Sequence, residues 1–241
     1  MIRRALIVAV LMLTVASTFA RGQVADLIGG YSFGKEASGV IGCVQAFGPD
    51  SFGSTYARAD FGFREEPFSL KVAYLEVARS FMFWPETEFK DIGIHAEFNG
   101  YLNMDNSNWL FGLDYTFPFK KDILRLSLLY KTFNGNRSAS VPIQLSVLWD
   151  MKDLLGVSGL EFRGVAKGWG EDISYWYNEE EPMGLPTVYF AIKATPQVWY
   201  SVGQFFGWDG LSIGGELELT VNYLGCYGVR VRPFAGMRFS F

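Results

Sequence analysis

The last thirteen residues, Val229 to Phe241, alternate between two faces that no water-soluble sheet accommodates. Val229, Val231, Pro233, Ala235, Met237, Phe239 and Phe241 fall on one side of an extended segment. Arg230, Arg232, Phe234, Gly236, Arg238 and Ser240 fall on the other. Strand side chains alternate with period two, so this segment offers an apolar face to lipid while three guanidinium groups occupy a wet interior. Such a strand belongs in a transmembrane β-barrel.

The same pattern recurs upstream. Ile92, Ile94, Ala96, Phe98, Gly100 and Leu102 alternate with Asp91, Gly93, His95, Glu97, Asn99, Tyr101 and Asn103. Leu211, Ile213, Gly215, Leu217, Leu219 and Val221 alternate with Ser212, Gly214, Glu216, Glu218, Thr220 and Asn222. An Arg or Lys on the lipid face costs about 2 to 4 kcal/mol at the midplane, which forces the charges inward. Turn residues divide the chain into about twelve strands: 27 to 34, 40 to 47, 53 to 63, 68 to 83, 89 to 103, 108 to 117, 123 to 133, 139 to 149, 157 to 169, 187 to 200, 210 to 222 and 229 to 241. The fold class is therefore all-β, a transmembrane antiparallel barrel. Its even strand count places both termini on one side, the periplasm.

The longest polar connection, Gly170 to Pro186, with Glu171, Asp172 and Glu179 to Glu181, then lies outside the cell. Its acidic run reads as a solvated loop or a weak site bridging cations or lipopolysaccharide. The Gly48-Pro49-Asp50, Trp84-Pro85 and Pro118-Phe119-Lys120 turns fall at the opposite end. In the fourth strand Lys71 and Arg79 share a parity that Glu76 does not, which predicts a bulge or a charged end near an interface. Aromatics at strand ends, among them Phe81, Phe83, Trp84, Phe117, Phe119, Trp149, Trp199, Tyr200, Phe239 and Phe241, read as interfacial girdles.

The amino terminus has the three parts of a secretory signal: Arg3 and Arg4, the apolar run Ala5 to Val15, and small residues to Ala20. The domain reading is thus a signal peptide over 1–22 and a barrel over 23–241. Cleavage fits after Ala20 or Gly22. No later stretch is apolar enough for a membrane helix. The net charge of −4, with both signs interleaved, leaves no nucleic-acid footprint. One His limits metal chemistry, and neither metal nor cofactor is expected. An exported protein permits a disulfide between Cys43, inside a strand, and Cys226, in a distant hairpin, but their separation favours the reading of two unpaired packing residues.

Several segments resemble the nucleoside-specific channel-forming (Tsx-like) porins of bacterial outer membranes, in a Bacteroidetes-type branch. They are Phe47-Gly48-Pro49-Asp50-Ser51-Phe52-Gly53-Ser54-Thr55, Ala73-Tyr74-Leu75-Glu76-Val77-Ala78-Arg79, Phe83-Trp84, Glu97-Phe98-Asn99-Gly100, Leu129-Tyr130-Lys131 and Gly215-Glu216-Leu217-Glu218. The resemblance implies a monomeric twelve-stranded barrel with a narrow, substrate-selective pore.

Pore-lining candidates by parity are Arg58, Asp60, Tyr74, Glu76, His95, Glu97, Asn99, Tyr101, Asp114, Arg125, Lys131, Glu161, Arg163, Glu216, Glu218, Arg230 and Arg232, with Lys167 and Arg238 also inward. Both signs with Tyr rings suit a small neutral polar solute: charged groups bond ribose hydroxyls and base edges, and rings stack on the base. Weak repeated sites favour permeation over one tight pocket. Against this stands the plainer reading, that interior charges pair merely to fill the barrel. Within Glu97-Phe98-Asn99, solute contact and a hydrogen-bonded scaffold remain open. A barrel hydrolase would depend on His95, yet Ile94-His95-Ala96-Glu97 lacks a His-x-Ser arrangement. The expected function is passive diffusion of nucleosides or similar solutes; the alternative is a structural or adhesion barrel with a charge-plugged lumen. Expected partners are outer-membrane lipid, lipopolysaccharide, and the assembly machinery that would read the strand ending in Phe241.

Overall fold

The computed structural model describes residues 24–34, 38–64, 69–101, 107–117, 119, 121–134, 137–173, 188–208, 210–224 and 226–241. The signal segment and the acidic run at Glu179 to Glu181 lie outside the described residues.

The strands are β1 (Val24–Ser32), β2 (Gly39–Asp50), β3 (Gly53–Arg64), β4 (Ser69–Phe81), β5 (Ile92–Tyr101), β6 (Ser107–Phe117), β7 (Ile123–Lys131), β8 (Ile143–Met151), β9 (Leu160–Ile173), β10 (Val188–Ala194), β11 (Gln197–Ser201), β12 (Leu211–Tyr223) and β13 (Cys226–Ser240). Neighbouring strands pair antiparallel. β10 and β11 both lie between β9 and β12, in one continuous register: Lys193 opposes Lys167 and Gln197 opposes Arg163. Pro196 has no N–H to give the ladder. Backbone bonds nonetheless cross the gap, from Thr195 N to Val165 O at 2.8 Å and from Leu217 N to Pro196 O at 2.9 Å. β10 and β11 are therefore two halves of one stave, and the barrel has twelve. Pairing of β1 with β13, from Asp26 opposite Ser240 to Ser32 opposite Phe234, closes it.

The faces sort as the alternation requires. Along β13, Val229 and Met237 are 73% and 61% exposed on the outside, while Arg238 is 4% exposed within. In β5 the side chains of His95, Glu97 and Asn99 are buried inside and Ile94 is exposed outside. β3 and β4 lose register between Gly62 and Phe63, where Gly62 faces Val72 and Phe63 faces Leu70, so Lys71 is the extra residue of a bulge. Beyond it, Arg79 takes an outward position. Its guanidinium bonds Asp50 Oδ2 at 2.5 Å and Thr55 Oγ1 at 2.8 Å and lies 5.1 Å from the Phe81 ring centroid. The bulge and the charged strand end both occur.

Four expectations change. β9 runs to Ile173, so Gly170, Glu171 and Asp172 belong to a strand rather than a loop. The Asp172 N–H bonds Ser138 O and Trp169 Nε1–H bonds Glu171 Oε2, which keeps the ladder and its inner face going. β2 likewise continues through Gly48-Pro49-Asp50, and the turn is Ser51-Phe52 before Gly53. Gly53 has φ +139, and a Cβ there would meet Ser80 O at 2.0 Å, so only glycine fits. β5 starts at Ile92, since residues 82–91 form the connection from β4. Trp199, read as an interfacial aromatic, is 1% exposed inside the lumen. Its indole N–H donates to Gln197 Oε1 at 2.9 Å, which makes an inward Trp tolerable.

Ring pairs Phe81–Phe83, Phe117–Phe119 and Phe239–Phe241 sit at the end of the barrel that carries the termini, called here the terminal end. In the β8–β9 connection, the Gly159 N–H donates to Asp153 and holds that carboxyl below its ordinary range. Two single-turn segments, Leu154–Gly156 and Gly203–Phe205, are the helical elements among the described residues. No helix there is long and apolar enough to cross a membrane. Cys43 and Cys226 are not bridged: Cys43 is packed inside the lumen and Cys226 begins β13.

Candidate functional site

A closed twelve-stranded barrel has a lumen that side chains narrow to small spaces. The larger space is a cavity of about 520 Å³ reaching the β1–β2 and β12–β13 connections, at the end opposite the termini. Arg58, Asp60, Tyr74, Tyr101, Glu216, Glu218, Arg230 and Arg232 line it, as does Lys193. Three carboxylates and four cations meet there, and most of them are paired. Arg58 bonds Asp60 at 2.9 Å and reaches Glu216 on the facing wall at 3.1 Å. Glu218 takes Arg232 on one oxygen and Lys193 on the other, at 2.5 and 3.3 Å. Lys193 also lies 4.9 Å from the Tyr74 ring centroid and 5.6 Å from that of Tyr223. Ile28, Cys43, Trp199 and Phe234 form the apolar base of this cavity.

The remaining candidates are packed against one another outside that cavity. Lys167 is the hub: its ammonium sits 2.8 Å from Glu76 and 2.9 Å from Glu97. Tyr74 donates to the other Glu76 oxygen and Asn99 donates to Glu97. His95 lies between Glu97 and Asp114, with Nδ1 3.0 Å from Asp114 Oδ2. Arg125 crosses from β7 to Ser54 on β3 at 2.9 Å. Nearer the termini, Arg163 bonds Asp26 on the far wall, and Arg238 forms an ion pair with Glu161 at 2.6 Å. A buried ion pair is strongly destabilising to break, because the remaining charge is stranded. These chords therefore fix the interior rather than leave it as loose lining.

All seventeen sequence candidates belong to inward strand positions, but they separate into three groups. Eight line the larger cavity. Asn99 and Lys131, with Tyr74 and Tyr101 again, line a second space of about 30 Å³. Glu76, His95, Glu97, Asp114, Arg125, Glu161 and Arg163 line neither and belong to the packed network. Glu97 in particular has Oε1 occupied by Lys167 and Asn99 and Oε2 turned to His95. Ser80, which shares Asp114 with His95, donates to that carboxylate, so no serine–histidine relay is assembled between them. Sequence reasoning missed Lys193, Tyr223, Asp26, Gln197 and Arg137. Strand parity marks Lys193, two residues before inward Thr195. Gln197 shares that parity within the expected 187 to 200 strand, while Asp26, Arg137 and Tyr223 lie beyond the expected strand limits, Tyr223 beside Asn222 with its φ of 52.

No curated protein matches this sequence. Among solved structures, the NanC porin in a rhombohedral crystal form aligns with a TM-score of 0.54 at 10% identity, over 89% of this chain and 98% of the porin. A membrane-protein structure from work on in-meso crystallization aligns at 0.44 and 10% identity, over 90% of this chain and 83% of its own. The porin likeness agrees with the barrel and speaks to fold alone. The family model for a domain of unknown function, DUF5020, matches residues 31–241, and the chain belongs to that family.

Proposed function

We propose that this protein is an outer-membrane channel for passive diffusion of nucleosides or similar small polar solutes, akin to the Tsx-like porins. On this reading residues 1–22 are an export signal, the termini face the periplasm, and the larger cavity opens outside. The strand ending in Phe241 is what the assembly machinery reads, and lipopolysaccharide surrounds the outer rim. The observation that supports it is the 520 Å³ cavity lined by charges of both signs, largely paired, and by Tyr74, Tyr101 and Tyr223. A neutral solute can exchange hydrogen bonds with paired charges without separating them, and its ring can stack on tyrosine.

Single-channel recording in planar bilayers tests this. Adenosine or uridine should interrupt the current, and Tyr74→Ala should weaken that block about 5- to 100-fold, the loss of one stacking contact. A second reading, a barrel plugged by its own charges, is favoured by the packed network and the apolar base of the cavity. Absence of conductance and of nucleoside block would select it.

A further inference from the structure

Lys131 is the exception among the interior cations. It is 4% exposed on the inner face of β7, and its ammonium touches ring faces, 3.8 Å from the Trp169 centroid and 5.7 Å from that of Phe133. Among the described residues it has no side-chain hydrogen bond and no carboxylate within ion-pair distance. Each nearby carboxylate is already engaged. Glu171 gives one oxygen to Arg137 and the other to the Trp169 indole. Glu97 and Glu76 hold Lys167. An ammonium has three donors and no acceptor, and an isolated buried one is costly unless a partner satisfies it.

Lys131 lines the 30 Å³ space, and so do Arg137, Lys167 and Lys193. Amide groups of Asn99, Asn108 and Gln144 complete the polar part of the wall, and no described carboxylate lines it. Lys167, Lys193 and Arg137 already hold carboxylates, so Lys131 is the cation without one beside room for about one or two water-sized groups, which makes a place for negative charge. We infer that Lys131 is the anchor of an anion-binding site, which takes a halide or the oxygens of a carboxylate or phosphate group. Tyr74, Tyr101, Lys193 and Tyr223 line both spaces, so an anionic arm of a solute in the larger cavity borders directly on it. The Tyr101 and Tyr223 hydroxyls, 3.1 Å apart, stand at this boundary. The site stands whether or not the barrel conducts.

Equilibrium binding to the purified full chain in detergent tests it with bromide, a heavy-atom quencher, as the probe. Trp169 adjoins the site, so its fluorescence should show a saturable quenching component that Trp169→Phe removes. Lys131→Met keeps the side-chain volume and should weaken bromide binding at least 10-fold. Because it deletes an isolated buried charge, the variant should fold, as checked by its heat-dependent gel mobility. Inorganic phosphate and acetate should compete with bromide. Tighter competition by ribose 5-phosphate than by inorganic phosphate would identify a solute head group as the occupant; equal or weaker competition would identify a resident inorganic ion. Quenching that never saturates in the wild type, or that saturates equally in Lys131→Met, would overturn the assignment. An anomalous bromide peak beside Lys131 Nζ in crystals is the corresponding structural result.

Discussion

Leu128→Arg should destabilise the barrel by about 2 to 4 kcal/mol when folding is measured at equilibrium in phospholipid vesicles, a change of roughly 30- to 900-fold in the folded-to-unfolded ratio. Leu128 is 55% exposed and faces outward, and its cross-strand neighbours are Leu113 and Leu145, also on the outside. Leu128 lies mid-strand in β7 (Ile123–Lys131), with Leu126 and Tyr130 as its outward neighbours on the strand. Leu128→Met, which keeps the apolar surface, should change stability by less than about 1.5 kcal/mol. The comparison isolates charge from shape. Arg230 and Arg232, on inward positions of β13, carry the same group without that penalty because Glu218 and the polar cavity receive them.

The second large effect concerns the interior. Lys167→Met should cost about 3 to 5 kcal/mol, because it leaves Glu76 and Glu97 buried side by side without their shared cation. Urea unfolding in micelles measures it. Adding Glu76→Gln and Glu97→Gln to the same chain should restore most of the loss, since neutral amides have no charge to strand. Costs that merely add would show that the three side chains do not act as one unit. Recovery in the triple variant would mark the network as a scaffold whose charges are mutually dependent.

Period-two polarity made the barrel legible because lipid enforces it on the outside, with Arg79 tolerated only at a strand end where Asp50 and Thr55 receive it. Ile94, Leu217 and Met237 face out for the same reason that His95, Glu218 and Arg238 face in. The inside obeys a weaker rule. There, a side chain needs only a hydrogen-bonded place, so Trp199 and Trp169 sit in the lumen with their indole N–H groups satisfied by Gln197 and Glu171. Polarity alone assigns such rings to the interface. Leu110 and Leu129 are also inward and fully buried, apolar side chains that alternation alone would send to the outside.

Which inward residues surround open space was not legible at all. Parity puts Arg58 and Arg125 in one class, yet Arg58 lines the larger cavity and Arg125 is spent on Thr116 and Ser54. That division depends on chords across the lumen, between residues as distant as Asp26 and Arg163, which alternation along one strand does not encode. The ends of strands were blurred for a related reason. Tertiary contacts such as Asp172 N–H to Ser138 O extend β9 into a stretch whose composition reads as loop.

A label scan of β13 in vesicles shows whether the barrel is a closed cylinder with lipid outside and bonded charge within. With Cys43 and Cys226 replaced by serine, single cysteines at Val229, Arg230, Val231, Arg232, Ala235 and Met237 carry a nitroxide in turn. Collision with oxygen, which concentrates in lipid, should be high at Val229, Val231, Ala235 and Met237 and low at Arg230 and Arg232. Collision with an aqueous nickel chelate should run out of phase with it. Two profiles in phase, or nickel reaching both faces alike, would contradict the account.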